Sequence, residues 1–548
     1  MASLRAHGVE RIFGNPGTTE SPLLDSLAAY PSIKYVTALH ESVALCAASY
    51  YAQASGKTGV VSLHVAPGLG NAIGMMYGAL RSNSPMVVTA GQQDTRMRLT
   101  APVLGHDLVA MAAPVTKWSV QVERADEMAP ILARAFKVAH DGAPGPVFVS
   151  LPIDVMEQDT AIGSRTAGPL SRVARPDAAS IEGLARILAE ANAPHIVCGD
   201  DVARAGATEA MVRLAETLGA HVWFEGVLRL QNSFPTTHPS ARLGLGTDAQ
   251  TTRKMLAGAD CVLLVGGPFF EDVWFASGRP FPDGAKVLQI EASPERLALN
   301  HALDGGLTGD LKSALEMLAT CLNRDHGAAL VPAATRRNSA MAALKVREVA
   351  AQKERAEKAW NRKPTSMPRV MAELKAAMPS HAIVVDESIT ASIDLARTFD
   401  FAGPGDYFGA KGGGIGQGLA GALGVQVANP KRPVLCISGD GSAMYSIQSL
   451  WTAAHLDLPI VFAILVNREY RVLKHNIDVY RQRFGIQSQE PYAHMDLGQP
   501  ALGFVELAAG MGVAGTRVTA PDAIGPAVAA AFKSGKPHLV EIAIEGKR

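Results

Sequence analysis

A Gly-Asp-Gly triplet, Gly439-Asp440-Gly441, ends an apolar run in "VLCISGDGSAMYS", and about 25 residues later Asn467 ends a second apolar run, "PIVFAILVN". A carboxylate, an amide oxygen and main-chain carbonyls are hard oxygen ligands suited to Mg²⁺, which completes its octahedron with water and phosphate oxygens. The Gly441 and Ser442 amides, opening a helix, would face those phosphates, and glycine lets the backbone approach a ligand closely. Alone, the triplet is equally well a strand–turn–helix junction with a capping aspartate. Asn467 at the matching point of a neighbouring strand tips the reading toward a metal–phosphate site. Two further groups carry chemical potential: Glu41, just after a strand and opening an apolar helix, and His64, ending the strand "VVSLH". Each also has a structural explanation, since an acid suits a helix start and a lone strand-end histidine is more often structural.

For Asp440 and Asn467 to meet, the intervening elements must return the chain to the same edge. Val434–Ser438 reads as a buried strand, 444–458 as a helix with Ile447, Leu450, Trp451 and Ala454 on one face, and Pro459–Val466 as the next strand. A strand–helix–strand crossover makes the two strands parallel. Their ends then lie roughly 5 Å apart if they are neighbours, at the carboxyl edge where open α/β sheets bind ligands.

The same rhythm fills the chain. "IKYVTAL", "GVVSLH", "SPMVVTA" and "GPVFVSLP" mark a first α/β block; "PHIVCGDDV", "AHVWFEG", "ADCVLLVGG" and "AKVLQIEAS" a second; "AIVVDES", "PVLCIS", "PIVFAILV" and "PHLVEIAI" a third. The expected division is 1–165, 176–325 and 355–548, each a mainly parallel sheet flanked by helices. A polar linker at Arg165–Ser180 and a charged helical connector over 335–367 join them. The first and third blocks each have a glycine-rich segment opening an Ala-rich helix, "APGLGNAIG" and "KGGGIGQGLAGALG", a weak sign of shared ancestry. The 548 residues are 48% apolar with 51 basic and 51 acidic side chains, which gives no hint of nucleic acid or membrane as partner. Five scattered cysteines without a CxxC fit a reducing compartment and argue against zinc or disulfides. No apolar run approaches the ~20 residues of a membrane helix, and the N-terminus has no signal-peptide core. A cytoplasmic enzyme is expected.

Gly-Asp-Gly, about 25 residues and Asn resembles the diphosphate–magnesium motif of thiamine diphosphate-dependent enzymes, which usually ends Asn-Asn where this chain has Val466-Asn467. The likeness runs through nearly the whole chain, in the order pyrimidine, central (Rossmann-like) and diphosphate domains. "FGNPGTTE", "YAQASGK", "GNAIGMM", "SPMVVTAGQQ", "DGSAMYSIQSLWTAA" and "PIVFAILVNREY" carry it, and it is greatest for benzoylformate decarboxylase and related 2-oxo acid decarboxylases. The resemblance implies Mg²⁺ on Asp440, Asn467 and the Glu469 main-chain carbonyl. It implies diphosphate contacts at Ser388, Thr390, Gly441 and Ser442, a Gly413 carbonyl for the pyrimidine amino group, Ile415 under the bent cofactor, and Leu473 beside it. Glu41 would hydrogen-bond the aminopyrimidine ring, His64 would transfer protons, and the Thr18 hydroxyl, a serine in the family, would meet the substrate. The implied reaction is non-oxidative decarboxylation of a 2-oxo acid, a benzoylformate-like aryl or alkyl glyoxylate, to an aldehyde.

One departure favours a rival. Val273, in "VGGPFFEDVWFASG", aligns with a second catalytic histidine of the decarboxylases. Without it, aldehyde release is in doubt and carboligation of the acetolactate synthase type is the alternative. His106 or His494 would have to stand in for it. Phe269, Phe270, Trp274, Val472 and Leu473 are either an apolar pocket or core, Gln92 and Gln93 lie within reach of such a pocket, and Arg468 and Arg471 are expected to face water. A central-domain dinucleotide such as FAD stays open, although no GxGxxG follows a strand there. The family's shared-cofactor arrangement implies a dimer at least, and a homotetramer is expected. Relatives have a longer first helix, so a different natural start is expected as well.

Overall fold

The computed structural model describes residues 1–548 except 165, 167–172, 227, 228, 271, 489, 547 and 548. Arg165 and most of the polar linker expected at Arg165–Ser180 therefore lie outside the described residues. Three six-stranded sheets, all parallel, carry the chain. The first holds β1 (Arg11–Gly14), β2 (Lys34–Thr37), β3 (Gly59–Leu63), β4 (Met86–Gln92), β5 (Trp118–Gln121) and β6 (Pro146–Pro152). The second holds β7 (Pro194–Cys198), β8 (His221–Phe224), β9 (Ala241–Gly244), β10 (Cys261–Val265), β11 (Lys286–Glu291) and β12 (Gly305–Thr308). The third holds β13 (Ile383–Glu387), β14 (Tyr407–Gly409), β15 (Val434–Gly439), β16 (Ile460–Val466), β17 (Ala514–Val518) and β18 (His538–Ala543).

Helices cover both faces of these sheets, so central strands read as unbroken apolar runs. All seven residues of β16, Ile460–Val466, are buried. Short or half-exposed strands, such as β5 and β17, lack that signal and were not foreseen. The first sheet has the order β2-β1-β3-β4-β6-β5 and the third β14-β13-β15-β16-β18-β17, which is the same connectivity. The second, β12-β11-β10-β7-β8-β9, is the 3-2-1-4-5-6 order of a dinucleotide-type fold. In each sheet the connection reverses direction beside the first strand, leaving a crevice at the carboxyl edge.

The first and third sheets share one core. Helix Glu41–Ser55 lies on helix Gln417–Ala428. Small residues let them close: a Cβ on Gly424 would strike the Ala47 carbonyl, and one on Gly421 the Tyr50 ring. The Tyr50 hydroxyl donates to the Gly409 carbonyl at 2.7 Å, and Thr452 Oγ1 to the Thr37 carbonyl at 3.0 Å. The charged connector is one continuous helix, Leu311–Ala359, which crosses both 325 and 355. Its first turns pack Leu315, Leu318 and Leu322 into the second sheet's core. All five cysteines are buried thiols. Among the described residues no helix is long and apolar enough to cross a membrane.

Candidate active site

At the first sheet, β1 and β3 are neighbours, pairing Gly14 with Ser62, so the loops that follow them meet. Gly17 leaves no room for a Cβ, which would run into the His64 ring. His64 Nδ1 lies 2.9 Å from Glu20 Oε2. Glu20 is buried, and its other oxygen accepts the Thr19 hydroxyl at 2.7 Å and the Gly91 amide at 2.9 Å. With the carboxylate engaging Nδ1, Nε2 is the ring nitrogen left for other chemistry. Thr18 is exposed, and its carbonyl accepts the Ser21 hydroxyl at 2.7 Å. The hydroxyl turned toward His64 is that of Thr19, 3.5 Å from Nδ1. Glu41 begins helix Glu41–Ser55 and is 6% exposed. Its two oxygens accept Asn15 Nδ2 at 3.2 Å and Asn71 Nδ2 at 2.9 Å. Glu20, Thr19 and Asn71 went unread in the sequence. The available signal was a polar string, "NPGTTE", directly after a strand.

At the third sheet, β13 neighbours β15 and β15 neighbours β16, pairing Glu387 with Ser438 and Gly439 with Leu465. Asp440 and Asn467 therefore reach the same edge, as the spacing requires. Asp440 is buried; Oδ2 accepts the Arg468 amide at 2.6 Å and Oδ1 the Gly441 amide at 2.9 Å. Burial raises its carboxyl above the usual range. Asn467 Oδ1 accepts the Glu469 amide at 3.0 Å. The Glu469 side chain is buried and ion-paired with Lys474 and, at 3.1 Å, with Arg471. Arg471 also donates to the Glu545 carbonyl, so it does not simply face water, whereas Arg468 is exposed.

The helix expected over 444–458 is interrupted. A four-residue helix, Asp440–Ala443, is followed by turns, and the helix proper is Ser449–His455. The Gly441 amide is occupied by its own neighbour's carboxylate. Ser388 gives its amide and hydroxyl to Asp386 Oδ1 at 2.9 and 2.6 Å, and Thr390 is exposed.

Val65, Ile389 and Arg468 all have left-handed backbone, at φ 43°, 52° and 59°. Two are β-branched, for which that region is costly. All three lie just beyond the carboxyl ends of β3, β13 and β16, so each of these edges, which carry candidate residues, holds a strained residue.

Between β14 and helix Gln417–Ala428 runs the glycine loop. Gly412, Gly413 and Gly416 have φ 77°, 75° and 95°, which other residues adopt only under strain. Gly413 and Gly414 are exposed, and a Cβ on Gly413 would meet nothing within 4 Å; Ile415 is half-buried. The far end of the loop is fastened by Glu387, whose carboxylate accepts the Gly416, Gln417 and Gly418 amides at 2.6, 2.9 and 2.7 Å. Burial pushes the Glu387 carboxyl up to about 7 against those three hydrogen bonds. Gln417 Nε2 donates to the Lys411 and Gly414 carbonyls at 2.9 and 2.7 Å.

Elsewhere the candidates scatter. Val273 is 65% exposed. His106 and His494 are exposed; Gln92 holds the His106 carbonyl at 2.7 Å and Gln93 the Val103 carbonyl at 2.8 Å. Phe269 is core beside Val287, while Phe270 and Phe281 enclose His301, whose imidazole is held below its usual pKa by burial. Leu473 is exposed, Val472 and Trp274 half-buried. The second sheet's carboxyl edge carries Asp200, Asp201, Glu225 and Glu291, four acids where a dinucleotide diphosphate would call for N–H donors.

Among the described residues no group of three or more His, Cys, Asp or Glu side chains could hold a metal by itself. A cation at the third sheet's edge would use one buried carboxylate, one amide oxygen and main-chain oxygen, with phosphates completing the shell, and the donor set fits that demand. Of the three left-handed loop glycines Gly413 alone is open, whereas a Cβ on Gly412 would press on Arg81 and one on Gly416 on Tyr445.

Known proteins match this layout. Family models for the N-terminal, central and C-terminal domains of thiamine pyrophosphate enzymes match residues 1–111, 181–318 and 390–542. The chain is 32% identical to benzoylformate decarboxylase of Pseudomonas aeruginosa, over 98% of this chain and 97% of that one. It is 28% identical to the acetolactate synthase isozyme 2 large subunit of Escherichia coli, over 99% and 94%. A thiamine diphosphate-dependent 4-hydroxybenzoylformate decarboxylase of Rhodococcus jostii superposes with a TM-score of 0.85 at 29% identity, covering 100% of this chain and 98% of that one. Both the sheet edges and the matches along their length lead to the same conclusion: the chain belongs to the thiamine pyrophosphate enzyme family.

Proposed function

We propose that this protein is a thiamine diphosphate- and Mg²⁺-dependent decarboxylase of a 2-oxo acid with an aryl or alkyl side chain, releasing an aldehyde. The observation that carries the reading is the pairing of half-buried His64 with buried Glu20, near Glu41 on one sheet edge. It supplies a proton-transfer histidine with a fixed orientation next to a carboxylate that can share a proton with an aminopyrimidine. When bound, thiamine diphosphate supplies the electron sink that accepts the pair left by departing CO₂.

The rest is the work of this chain's residues. Asp440, Asn467 and the Glu469 carbonyl would hold Mg²⁺, with Ser388, Thr390, Gly441 and Ser442 toward the diphosphate. Gly413 and Ile415 would receive the ring system, with Leu473 at its side. Asn15 and Asn71 orient Glu41, and its buried carboxylate would hydrogen-bond the aminopyrimidine ring. Glu20 orients His64 so that Nε2 gives or takes a proton at the substrate. Thr18 or Thr19 would meet the substrate oxygens.

The domains proposed are 1–165, 176–325 and 355–548. A dimer is the proposed minimum and a tetramer the full assembly. Met97, Leu99 and Val103, exposed on the segment next to the His64 loop, suit coverage by a second copy.

One observation favours the acetolactate synthase-type reading: the segment around Val273 offers no exposed histidine to finish aldehyde release. Incubation with benzoylformate or pyruvate, thiamine diphosphate and Mg²⁺ separates the two by product. Aldehyde lost in Glu41→Gln supports the decarboxylase; 2-hydroxyketone alone at every pH replaces it with the ligase.

A further inference from the structure

Among the described residues the second sheet gives none to the Asp440–Asn467 edge or to the Glu41–His64 edge, yet it reaches the glycine loop. Lys411, two residues before Gly413, is buried, and its Nζ is ion-paired with Glu225 and lies 3.1 Å from Asp200 Oδ2. Both acids stand just past the carboxyl ends of second-sheet strands, Asp200 beyond β7 and Glu225 directly after β8. Asp200 is itself fixed, its Oδ1 accepting the Leu230 and Gln231 amides at 3.0 and 3.4 Å. The same segment docks along β14 through the Gly409 amide to the Leu230 carbonyl at 2.9 Å and a bridge from Gln231 to Phe408. The loop is thus fastened at its far end within the third sheet, by Glu387 and Gln417, and at its near end from the second.

A buried lysine among carboxylates is a poor source of stability, because desolvation offsets most of the attraction; what such a pair does provide is a defined geometry. Glycines at three left-handed positions confer no stiffness of their own, so the loop's placement must come from its two anchors.

We propose that Lys411 is a positioning residue. Its ion pair with Glu225 and Asp200 sets where the Gly413 carbonyl stands, so the central domain governs affinity for thiamine diphosphate without touching it. The role assigned to Gly413 rests on the function proposed above; the anchoring of the loop does not.

The experiment uses the full-length protein with Lys411→Met and the milder Glu225→Gln, which keeps an oxygen for Nζ. Two quantities are read at a temperature where circular dichroism shows each variant folded. These are the thiamine diphosphate dissociation constant, titrated by intrinsic fluorescence with Mg²⁺ present, and hydrogen exchange of the 411–416 segment in ligand-free protein. The expected result is a dissociation constant raised at least tenfold in Lys411→Met and less in Glu225→Gln. Exchange should be faster in 411–416 and unchanged in β15 and β16. A lower melting temperature with unchanged affinity and unchanged loop exchange would overturn the proposal. Wild-type protein that binds no thiamine diphosphate would overturn the proposed function, and the exchange comparison would still decide whether Lys411 anchors the loop.

Discussion

Glu291 closes β11 at the second sheet's carboxyl edge and is fully buried. Burial, and then the nearby Asp201, push its carboxyl up to about 8, against a smaller opposing pull from Arg296. The native protein therefore holds a proton on Glu291 that the unfolded chain gives up near 4.5. Stability from this group is complete below about pH 4.5 and is lost as pH rises toward 8. At ~1.4 kcal/mol per pH unit, the loss reaches about 5 kcal/mol. Glu291→Gln keeps the shape and stays neutral, so it escapes that loss. For a domain of about 150 residues, where 1 kcal/mol shifts the midpoint by ~2–4 °C, the variant should melt roughly 10–20 °C above wild type in its second-sheet transition at pH 9. At pH 4.5–5 the two proteins should nearly coincide. Scanning calorimetry across pH 4.5–9 reads the gap directly. A gap that is constant with pH, or that narrows as pH rises, would refute the reasoning.

Three more outcomes are expected. Asp440→Ala should raise the concentration of the proposed Mg²⁺ for half-saturation at least ~100-fold, measured by activity titration, because the neighbouring Glu469 carboxylate is already engaged by Lys474 and Arg471. Glu20→Gln should lower kcat about ten- to a hundredfold with little change in KM, read from steady-state kinetics, since a misoriented His64 forfeits part of its acid–base contribution. Gly424→Ala should cost about 1–3 kcal/mol through its collision with the Ala47 carbonyl, seen as a lower melting temperature for the shared core of the first and third sheets.

The parallel sheets are legible because β16 and most of β15 are continuous apolar runs, and β4 and β6 are apolar runs broken only by small residues such as Thr89 and Ser150. The convergence of Asp440 and Asn467 followed from crossover geometry alone. Strands such as β5, β9 and β17 were illegible for a matching reason: short or half-exposed strands carry no uninterrupted run. The site's supporting groups were hidden differently. Glu20 and Glu387 act through neighbours remote in sequence, His64 for the first and the 416–418 amides for the second, and nothing local marks a carboxylate that will be buried. Thr19 rather than Thr18 turns toward His64 because of the tight entry at Gly17, a one-residue choice that pattern reading cannot make.

The uninterrupted helix Leu311–Ala359, with Pro332 as its interior proline, runs for about 74 Å at 1.5 Å per residue. It behaves as an indexed shaft rather than a tether. One residue inserted in its exposed half would turn everything beyond it by about 100°, and with it the Lys411 side of the Lys411–Glu225 contact. A seven-residue insertion would restore the orientation to within about 20° while lengthening the shaft by about 10 Å. Because the second and third sheets also touch directly, through Lys411–Glu225 and the Gly409–Leu230 hydrogen bond, both the phase and the length of this segment are fixed, unlike those of a flexible linker of the same composition.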